Sequence, residues 1–509
     1  MAARAGARGS KTDALPCRAA GHRARRQGRS LSRPAPGQET QAISTLITRA
    51  RLRDGRSADL RIDAGSIAAI APALERTAHD TVIDAAGALL IPGLHDHHIH
   101  LVALAAALTS LDCGPPRVAD ADALAAALRA ANSEPGTWLR GIGYHPCVAG
   151  DIDRDWLDRH IPDRPARIQH RGGRLWVLNS RALEALELKP GDAPAGLELH
   201  EGRATGRLYE ADVWLRQRLG GRLPDLAPAS ALLAAHGITG ITDTTPHNDA
   251  DTWARFARAQ RDGVLSQRVR MMGGVSLAGC IDSAMLQRGE FKVHLLESQL
   301  PDFDALCTDI AAAHAAQRGV AVHCVTLTEL VFTLGALREA GVRPGDRIEH
   351  ASVTPPQQLD EMRAMGLRVV TQPHFIAERG DQYRVDVEPG DRDWLYRGAG
   401  FLDAGVPLAA GSDAPFGSAD PWAAMRAAVQ RTTAAGELMG SGEQLTPEQA
   451  LALFLSPLSQ PGAAPRELQA GDPADLCLLH LPWEAVRDEL DCSAVRMTWR
   501  GGEVTYSAA

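Results

Sequence analysis

The sequence predicts an α/β protein built on a (β/α)8 TIM barrel, and three observations predict it. Apolar strand-like runs alternate with helical stretches through the middle of the chain, which is the pattern of a parallel sheet. Most of these runs finish in His, Asp or Lys, as expected where the strand ends of a barrel meet at one mouth. Both ends of the chain carry short runs that alternate at period two, which predict antiparallel strands outside the barrel.

Eight runs are the candidates for barrel strands. They read LLIPGLHDHHIH, TWLRGIGY, GITGITDTTPH, FKVHLLE, GVAVHC, DRIEHA, LRVVTQPHF and VPLAAGSDAP. Helical stretches separate most of them, and one such stretch ends at the predicted C-cap Gly319. The segment from about 112 to 232 is too long for a simple connection, so it predicts an inserted α/β subdomain that covers substrate.

The two β segments at the chain ends are predicted to form a single β-sandwich. The first segment covers residues 42–91 and the second covers 464–509, which leaves 92–463 for the barrel and its insertion. Residues 1–41 are rich in Arg and Ala and have almost no periodic apolar positions. Such a segment cannot bury enough surface to offset the entropy of ordering, so it predicts a disordered extension.

Composition and charge exclude several classes of partner. The chain has 509 residues, is 45% hydrophobic and carries a net charge of -8, which gives no reason to expect nucleic acid or an anionic membrane. No apolar run approaches the roughly 20 residues of a membrane helix. The cysteines form no Cys-x-x-Cys pair, which predicts a reducing, cytoplasmic environment. We therefore expect a small-molecule substrate, and a homodimer as the default assembly.

The first candidate strand ends in a pair of histidines. His98 and His100 are two residues apart on an extended strand, so their side chains share a face and can chelate one divalent ion. Asp96 has the same parity, whereas His95 and His97 project to the other side and are expected to be structural. The alternative is that these histidines are satisfied by hydrogen bonds alone.

Four later strand candidates end in residues of the same kind. These residues are Lys292, His323, His350 and Asp413. A lone histidine at a strand end is more often a core or surface residue than a ligand, but a whole set after the histidine pair is hard to ascribe to chance. Burying Lys292 without a partner is costly unless the amine loses its charge. A role in a metal site, or modification of the amine, resolves that difficulty.

Several segments resemble the amidohydrolase superfamily. IPGLHDHHIH resembles its opening metal motif, and RIEHA, TQPHF and GSDAPFGSADPWAAMRAAVQR are similar to later motifs of its family 3 branch. That branch includes N-substituted formamide deformylases and is related to D-aminoacylases. PDRPARIQHRGGRLWVLNSRAL and TGRLYE resemble its inserted segment, so the resemblance covers about residues 42–509. It implies a metal-dependent hydrolase that cleaves a non-peptide carbon–nitrogen bond, such as an amide or formamide, in a small molecule.

The resemblance also implies a metal centre of one or two divalent ions. His98 and His100 would bind one ion, and His323 and His350 would hold a second ion or complete the first site. Lys292 would be carboxylated, and its carbamate would bridge two ions. Histidine and carboxylate ligands suit zinc, with iron, manganese and cobalt as alternatives.

The roles of two catalytic residues follow from the same resemblance. Asp413, as ligand or general base, would take a proton from the attacking water and pass it to the leaving amine. His350, or alternatively His323, would stabilise the developing oxyanion. Two other readings stay open, namely a different reaction on the same metal site (deamination, or carbamate or ester cleavage) and a non-catalytic barrel with an assembly role.

Four residues are candidates for substrate contacts, namely Arg174, His294, His374 and Tyr144. Arg174 replaces a histidine common in the branch, and a cation there fits a carboxylate or phosphate group, although a solvated surface arginine is an equal alternative. His294 has the parity of Lys292 and therefore faces the mouth. His374 follows the seventh candidate strand, and Tyr144 ends the second.

Overall fold

The computed structural model describes residues 44–115, 117–131, 137–187, 193–219 and 224–508. The predicted disordered extension, residues 1–41, lies outside this range. The described residues form a barrel, an inserted subdomain and a sandwich of two sheets. No helix in the described ranges is long and apolar enough to cross a membrane.

The barrel consists of parallel strands that we number β1 to β8. In chain order they are Leu94–Ile99, Ile238–Asp243, Arg268–Gly273, Leu286–His294, Val320–Cys324, Arg347–His350, Arg368–Thr371 and Leu408–Ala410. Each strand pairs with the next in this order. The chain after β8 returns to β1, because the Asp413 amide donates to the His98 carbonyl oxygen at 2.7 Å. The predicted TIM barrel is therefore confirmed.

One of the eight strand candidates was wrong. TWLRGIGY forms the strand Leu139–Tyr144 of the inserted sheet, whereas β3, with the sequence RVRMMG, was not among the candidates. Arginines at alternate positions hide the apolar pattern of β3. Arg268 pairs with Asp475 at 2.5 Å and Arg270 pairs with Glu290 at 3.0 Å, so both cations are neutralised where the sequence alone suggests exposure.

Helices surround the barrel and receive its outward-facing side chains. Val320 and Val322 of β5 are buried in the main apolar core, while the alternate position His323 faces inward. Each such buried valine contributes about 1.5–3 kcal/mol. The helices are Leu101–Ala107, Ala227–Ala235, Ala250–Arg261, Phe303–Ala315, Leu327–Ala340, Pro356–Met365, His374–Asp386, Ala399–Asp403, Pro421–Gln430 and Pro447–Ala452, and short 3-10 turns are Val275–Leu277, Glu297–Gln299, Arg392–Trp394 and Ser441–Glu443.

The sandwich unites both ends of the described chain, as predicted. One sheet contains Ser44–Arg51, Ser57–Asp63, Ser66–Ala71 and Asp80–Asp84, and the other contains Leu90–Pro92, Leu476–Leu479, Val495–Arg500 and Glu503–Ser507. Within the second sheet, the chain between Leu476–Leu479 and Val495–Arg500 forms a short α-helix at Trp483–Val486 and a 3-10 turn at Cys492–Ala494. Leu60 of the first sheet and Trp499 of the second are fully buried in one apolar cluster. This shared core holds the chain ends together beside the barrel.

The insertion between β1 and β2 forms a sheet of its own. Its strands are Leu111–Asp112, Leu139–Tyr144, Ala166–His170, Leu175–Leu178, Leu197–His200 and Arg203–Tyr209, and its helices are Ala121–Ala130, Pro146–Ala149, Arg154–His160, Ser180–Ala185 and Asp212–Arg218. The following helix, Ala227–Ala235, packs on β2 and belongs to the barrel. We therefore place the end of the insertion before residue 227, a little earlier than the sequence suggested.

Candidate metal centre

Three residues of the predicted set converge at the carboxyl ends of the barrel strands. His98 lies near the end of β1, His350 ends β6 and Asp413 follows β8. All three are buried, and their ligand atoms lie within 4.8 Å of one another. Strands of one parallel barrel bring these distant positions together because their carboxyl ends share a rim.

Asp413 is also the acceptor for His100. The Nε2 atoms of His98 and His100 lie 3.4 Å and 3.2 Å from its Oδ1 atom. Burial opposes the charge on Asp413, but hydrogen bonds from the two histidines hold its pKa well below the usual range. The carboxylate is therefore ionised and can serve as a ligand or proton acceptor.

Two of these residues have strained backbones. His350 has φ 67° and Asp413 has φ 53°, a region that residues other than glycine rarely adopt. Such a conformation costs of order 1–3 kcal/mol and is found where function fixes the direction of a side chain. Here it turns both side chains toward His98 just after their strands end.

Hydrogen bonds on the far side of each ring fix the orientation of the histidines. The Nδ1 atom of His98 lies 2.5 Å from Glu349 Oε2, and that of His350 lies 2.7 Å from Gln372 Oε1. Both acceptors place a proton on Nδ1, so Nε2 is the ring atom left to bind an ion, and in this structure Nε2 of His98 faces the Asp413 carboxylate. His100 is held in the same way, with Nδ1 at 3.1 Å from the Thr245 hydroxyl.

Lys292 and His323 each have a buried polar atom that lacks a hydrogen-bond partner within the described part of the chain. Lys292 Nζ and His323 Nε2 are buried and have no hydrogen-bond partner among the described residues. Burial lowers the pKa of the Lys292 amine and holds that of His323 well below its ordinary value. The His323 ring lies 4.5 Å from the His350 ring, so the unpaired atom of His323 lies beside the cluster that contains His350. Buried polar atoms without partners are rare, and a bound ion would satisfy them.

The residues present therefore fit a divalent cation. The available donors are imidazole nitrogens, one carboxylate and an amine that accepts modification, which is a donor set suited to zinc and its neighbours. Carboxylate and amide groups behind the rings complete the usual outer shell of such a site. All six predicted metal residues lie at this mouth, and three of them, His98, His350 and Asp413, bring their ligand atoms within 4.8 Å of one another.

Arg174 and His294, two of the four predicted substrate contacts, lie at the mouth. Arg174 belongs to the insertion, and its side chain pairs with Glu210 at 3.6 Å while both remain partly exposed. His294 is exposed at the end of β4, with its ring 4.5 Å from that of His323. Desolvation by the surrounding protein, and then the cations of Lys292 and Arg174, lower the pKa of His294. A neutral His294 and a charged Arg174 thus face solvent beside the metal residues.

The other two predicted substrate contacts have structural roles. His374 is buried, and its Nε2 atom lies 2.9 Å from the carbonyl oxygen of Ser412, the residue before Asp413. It therefore supports the loop that carries the carboxylate. Tyr144 lies in the core of the insertion, and its hydroxyl donates to the Gly150 carbonyl, so the structure does not bring it to the mouth.

Asp96 and the intervening histidines are structural as well. Asp96 Oδ1 accepts the amides of His98 at 3.0 Å and Ser412 at 2.9 Å, which ties β1 to the loop after β8. His95 and His97 point away from the mouth, and both contact Ser456, at 2.9 Å and 3.0 Å. The period-two argument for this strand is confirmed.

The sequence analysis missed the residues that orient the rings. Glu349 had a usable signal, because in RIEH the alternation of Arg347, Ile348 and Glu349 places two opposite charges on one face. Gln372 and Thr245 had no recognisable sequence signal, because each contacts a histidine at the end of another strand, and only the folded barrel brings the two together.

Comparison with known proteins agrees with this arrangement. A curated relative, N-substituted formamide deformylase from Arthrobacter pascens, is 25% identical over 81% of this chain and 86% of its own length. The putative amidohydrolase YtcJ from Bacillus subtilis (strain 168) is 23% identical over 68% of this chain and 74% of its own. An uncharacterised metal-dependent hydrolase from Pyrococcus furiosus has the same fold, with a TM-score of 0.67 and 20% identity over 86% of this chain and 99% of that one.

The family assignment rests on more of the chain than any single motif. The model of the amidohydrolase family matches residues 81–506, a span that includes the second sandwich sheet, the whole barrel and the insertion. Every residue of the metal centre described above falls within it. The chain belongs to the amidohydrolase family.

Proposed function

We propose that this protein hydrolyses an amide-type carbon–nitrogen bond in a small molecule at the barrel mouth. One observation carries the proposal. The buried His98, His350 and Asp413 meet within 4.8 Å beside the orphaned Lys292 Nζ and His323 Nε2 atoms. The relationship to N-substituted formamide deformylase and to the putative amidohydrolase YtcJ supports this bond class.

The metal centre is proposed to hold one or two divalent ions, with zinc the first candidate. His98 and His100 would bind one ion, and His323 and His350 would bind a second or complete the first. When bound, the ion supplies Lewis acidity, which acidifies a water molecule and polarises a carbonyl group. Glu349 and Gln372 keep the ring nitrogens of His98 and His350 directed at this position.

Lys292 is proposed to carry a carbamate. Burial lowers the pKa of its amine, so the neutral, nucleophilic form is accessible. The Nζ atom would form a bond to the carbon of carbon dioxide and lose a proton, which leaves an anionic carbamate with two oxygen donors. This change would replace the buried amine with an anionic group whose two oxygen atoms could hold the proposed ions.

Asp413 is proposed to move the proton. Its ionised carboxylate accepts a proton from the attacking water and then donates it to the nitrogen of the leaving amine. His350, or alternatively His323, would stabilise the oxyanion if its ring is not bound to the metal and carries a proton on Nε2. The expected contribution of such a proton-transfer residue is about 10²–10⁴-fold in rate.

Arg174 and His294 are proposed to contact the substrate. Arg174 stands at the rim on a flexible stem and already pairs with Glu210, so it can exchange that partner for an anionic group of the ligand. His294 offers a neutral ring with hydrogen-bonding nitrogens next to His323. An N-substituted formamide or another small amide is the class to screen first.

Metal analysis is the first test. Protein purified without chelator is examined by mass spectrometry, with Lys292→Ala beside wild type. We expect wild type to hold about two ions per chain more than a His98→Ala/Asp413→Ala control that lacks mouth ligands, and Lys292→Ala to hold fewer ions than wild type, as a bridging ligand requires. A single ion that does not depend on Lys292 would remove the carbamate from the proposal, and no metal at all at the mouth would overturn the hydrolase.

Carbamate formation has a direct readout. Lysine occurs only at positions 11, 189 and 292, so protein incubated with ¹³C-labelled carbon dioxide should show a carbamate resonance that Lys292→Ala abolishes. Lys189→Ala is the matched control and should retain the signal. Turnover is then followed by amine release from a panel of formamides, amides, carbamates and esters, which also separates amide cleavage from the alternative reactions.

A further inference from the structure

A second cluster of metal-type side chains lies outside the barrel mouth. His236, Asp420 and Cys492 come from three distant parts of the chain, yet their ligand atoms lie within 4.8 Å of one another. All three are partly buried. Imidazole, carboxylate and thiol groups are the three ligand types that zinc binds in proteins.

The cluster lies where the barrel meets the sandwich. His236 ends helix Ala227–Ala235, which packs on the sandwich strand Val495–Arg500. Cys492 opens the short helix just before that strand, and Asp420 caps a barrel helix. An ion bound here would connect two barrel helices with the segment that precedes the sandwich strand Val495–Arg500.

The ring of His236 is already oriented as a ligand. Its Nδ1 atom lies 3.1 Å from the carbonyl oxygen of Ala419, which can only accept, so Nδ1 carries the proton. The Nε2 atom therefore keeps a lone pair. Trp422 fixes the same residue from the other side, because its indole donates to the His236 carbonyl at 3.1 Å.

Asp420 caps its helix through one carboxylate oxygen. Its Oδ1 atom caps the helix by accepting a hydrogen bond from the Trp422 amide at 2.9 Å. The backbone amide of Asp420 donates to the Ser418 hydroxyl at 3.3 Å. The Oδ2 atom is not needed for the cap. One carboxylate can thus cap the helix and bind an ion at the same time.

Cys492 supplies the ligand that gives the cluster its selectivity. Its thiol is not in a disulfide. A thiolate beside an imidazole favours zinc over magnesium or calcium, which prefer oxygen donors. We propose that His236, Asp420 and Cys492 form a zinc-type site, here named the seam site, that pins the C-terminal segment to the barrel independently of the mouth.

Cobalt reports on the seam site without reference to activity. Protein stripped of metal and reloaded with Co²⁺ should show thiolate-to-cobalt absorption in the near ultraviolet, because the proposed mouth ligands include no thiol. Cys492→Ser should abolish this band and lower the zinc content by one ion. Cys280→Ser, another half-buried cysteine outside the cluster, should change neither.

Two further variants separate ligation from structure. His236→Asn keeps a donor for the Ala419 carbonyl but removes the ring Nε2 atom, so it should lose the band and remain folded. Asp413→Asn alters the mouth and should leave the band in place, which keeps a failure of the proposed hydrolase distinct from a failure of the seam site. Wild-type protein without a thiolate band, or a Cys492→Ser protein with undiminished zinc, would overturn the proposal.

Discussion

Two adjacent layers of charged side chains inside the barrel differ in whether each charge has a direct partner within the protein. In the lower layer Arg270 pairs with Glu290 at 3.0 Å, and Arg347 pairs with Glu349. In the upper layer, at the strand ends, Lys292 Nζ has no hydrogen-bond partner in the described structure. The same barrel therefore neutralises one set of buried charges internally and leaves the next set to an external ligand.

The difference indicates which charges are structural and which are functional. A buried ion pair contributes little net stability. Removing one partner is nevertheless strongly destabilising, because the other charge then stays buried without compensation. A buried group without a hydrogen-bond partner, by contrast, adds no stability of its own, which favours the proposed ligand from outside the fold as its partner. Glu349 belongs to both layers, since one oxygen accepts from Arg347 and the other from His98.

The largest expected effect is on activity and comes from the upper layer. Asp413→Asn keeps the shape of the side chain but removes its basicity, so we expect turnover to fall about 10²–10⁴-fold. The free energy of unfolding should change little, because no buried cation loses its only partner. Steady-state kinetics and urea unfolding measure the two effects, with the exposed Asp163→Asn as control. Unchanged turnover would exclude Asp413 as the proton carrier.

The second effect is on stability and comes from the lower layer. Arg347→Met removes the cation that donates to the buried Glu349 and leaves it with His98 and the nearby charge of Lys292. Breaking a buried pair in this way should cost about 3–5 kcal/mol. Urea unfolding of wild type and variant provides the measurement. Arg181→Met, which breaks an exposed pair with Glu184, should cost less than about 1 kcal/mol. Equal losses in the two variants would show that the lower layer is not structural.

A third variant tests the residue shared by the layers. In Glu349→Gln the amide can present its oxygen to His98 or to Arg347 but not to both, so the His98 ring loses its orientation or Arg347 loses its acceptor. We expect metal affinity or activity to fall about 10- to 100-fold, as for other residues behind metal ligands. Glu290→Gln, which contacts Arg270 below, should leave metal affinity unchanged. Metal titration of both variants decides the matter.

The sequence predicted the upper layer much better than the lower one. His98, His100, Lys292, His323, His350 and Asp413 were all recognisable because polar residues at strand ends interrupt apolar runs. Arg270 was not, because its charge hides the apolar pattern of β3 and only its pairing with Glu290 on the neighbouring strand makes its burial possible. Tyr144 was misplaced for a related reason, since its strand carries the pattern of a barrel strand but pairs within the insertion.

The smallest expected effect distinguishes the layers most sharply. Lys292→Met replaces a buried amine that lacks a partner with an apolar side chain of similar length, and leaving a polar group unsatisfied costs about 1–3 kcal/mol. Metal-free Lys292→Met should therefore be as stable as metal-free wild type or slightly more stable, even though its activity is lost. Urea unfolding in the presence of chelator, with carbon dioxide excluded, isolates this contribution. A loss of several kcal/mol, like that expected for Arg347→Met, would mean that Lys292 has an internal partner in the folded protein, and the contrast between structural and functional charge would then not hold at this position.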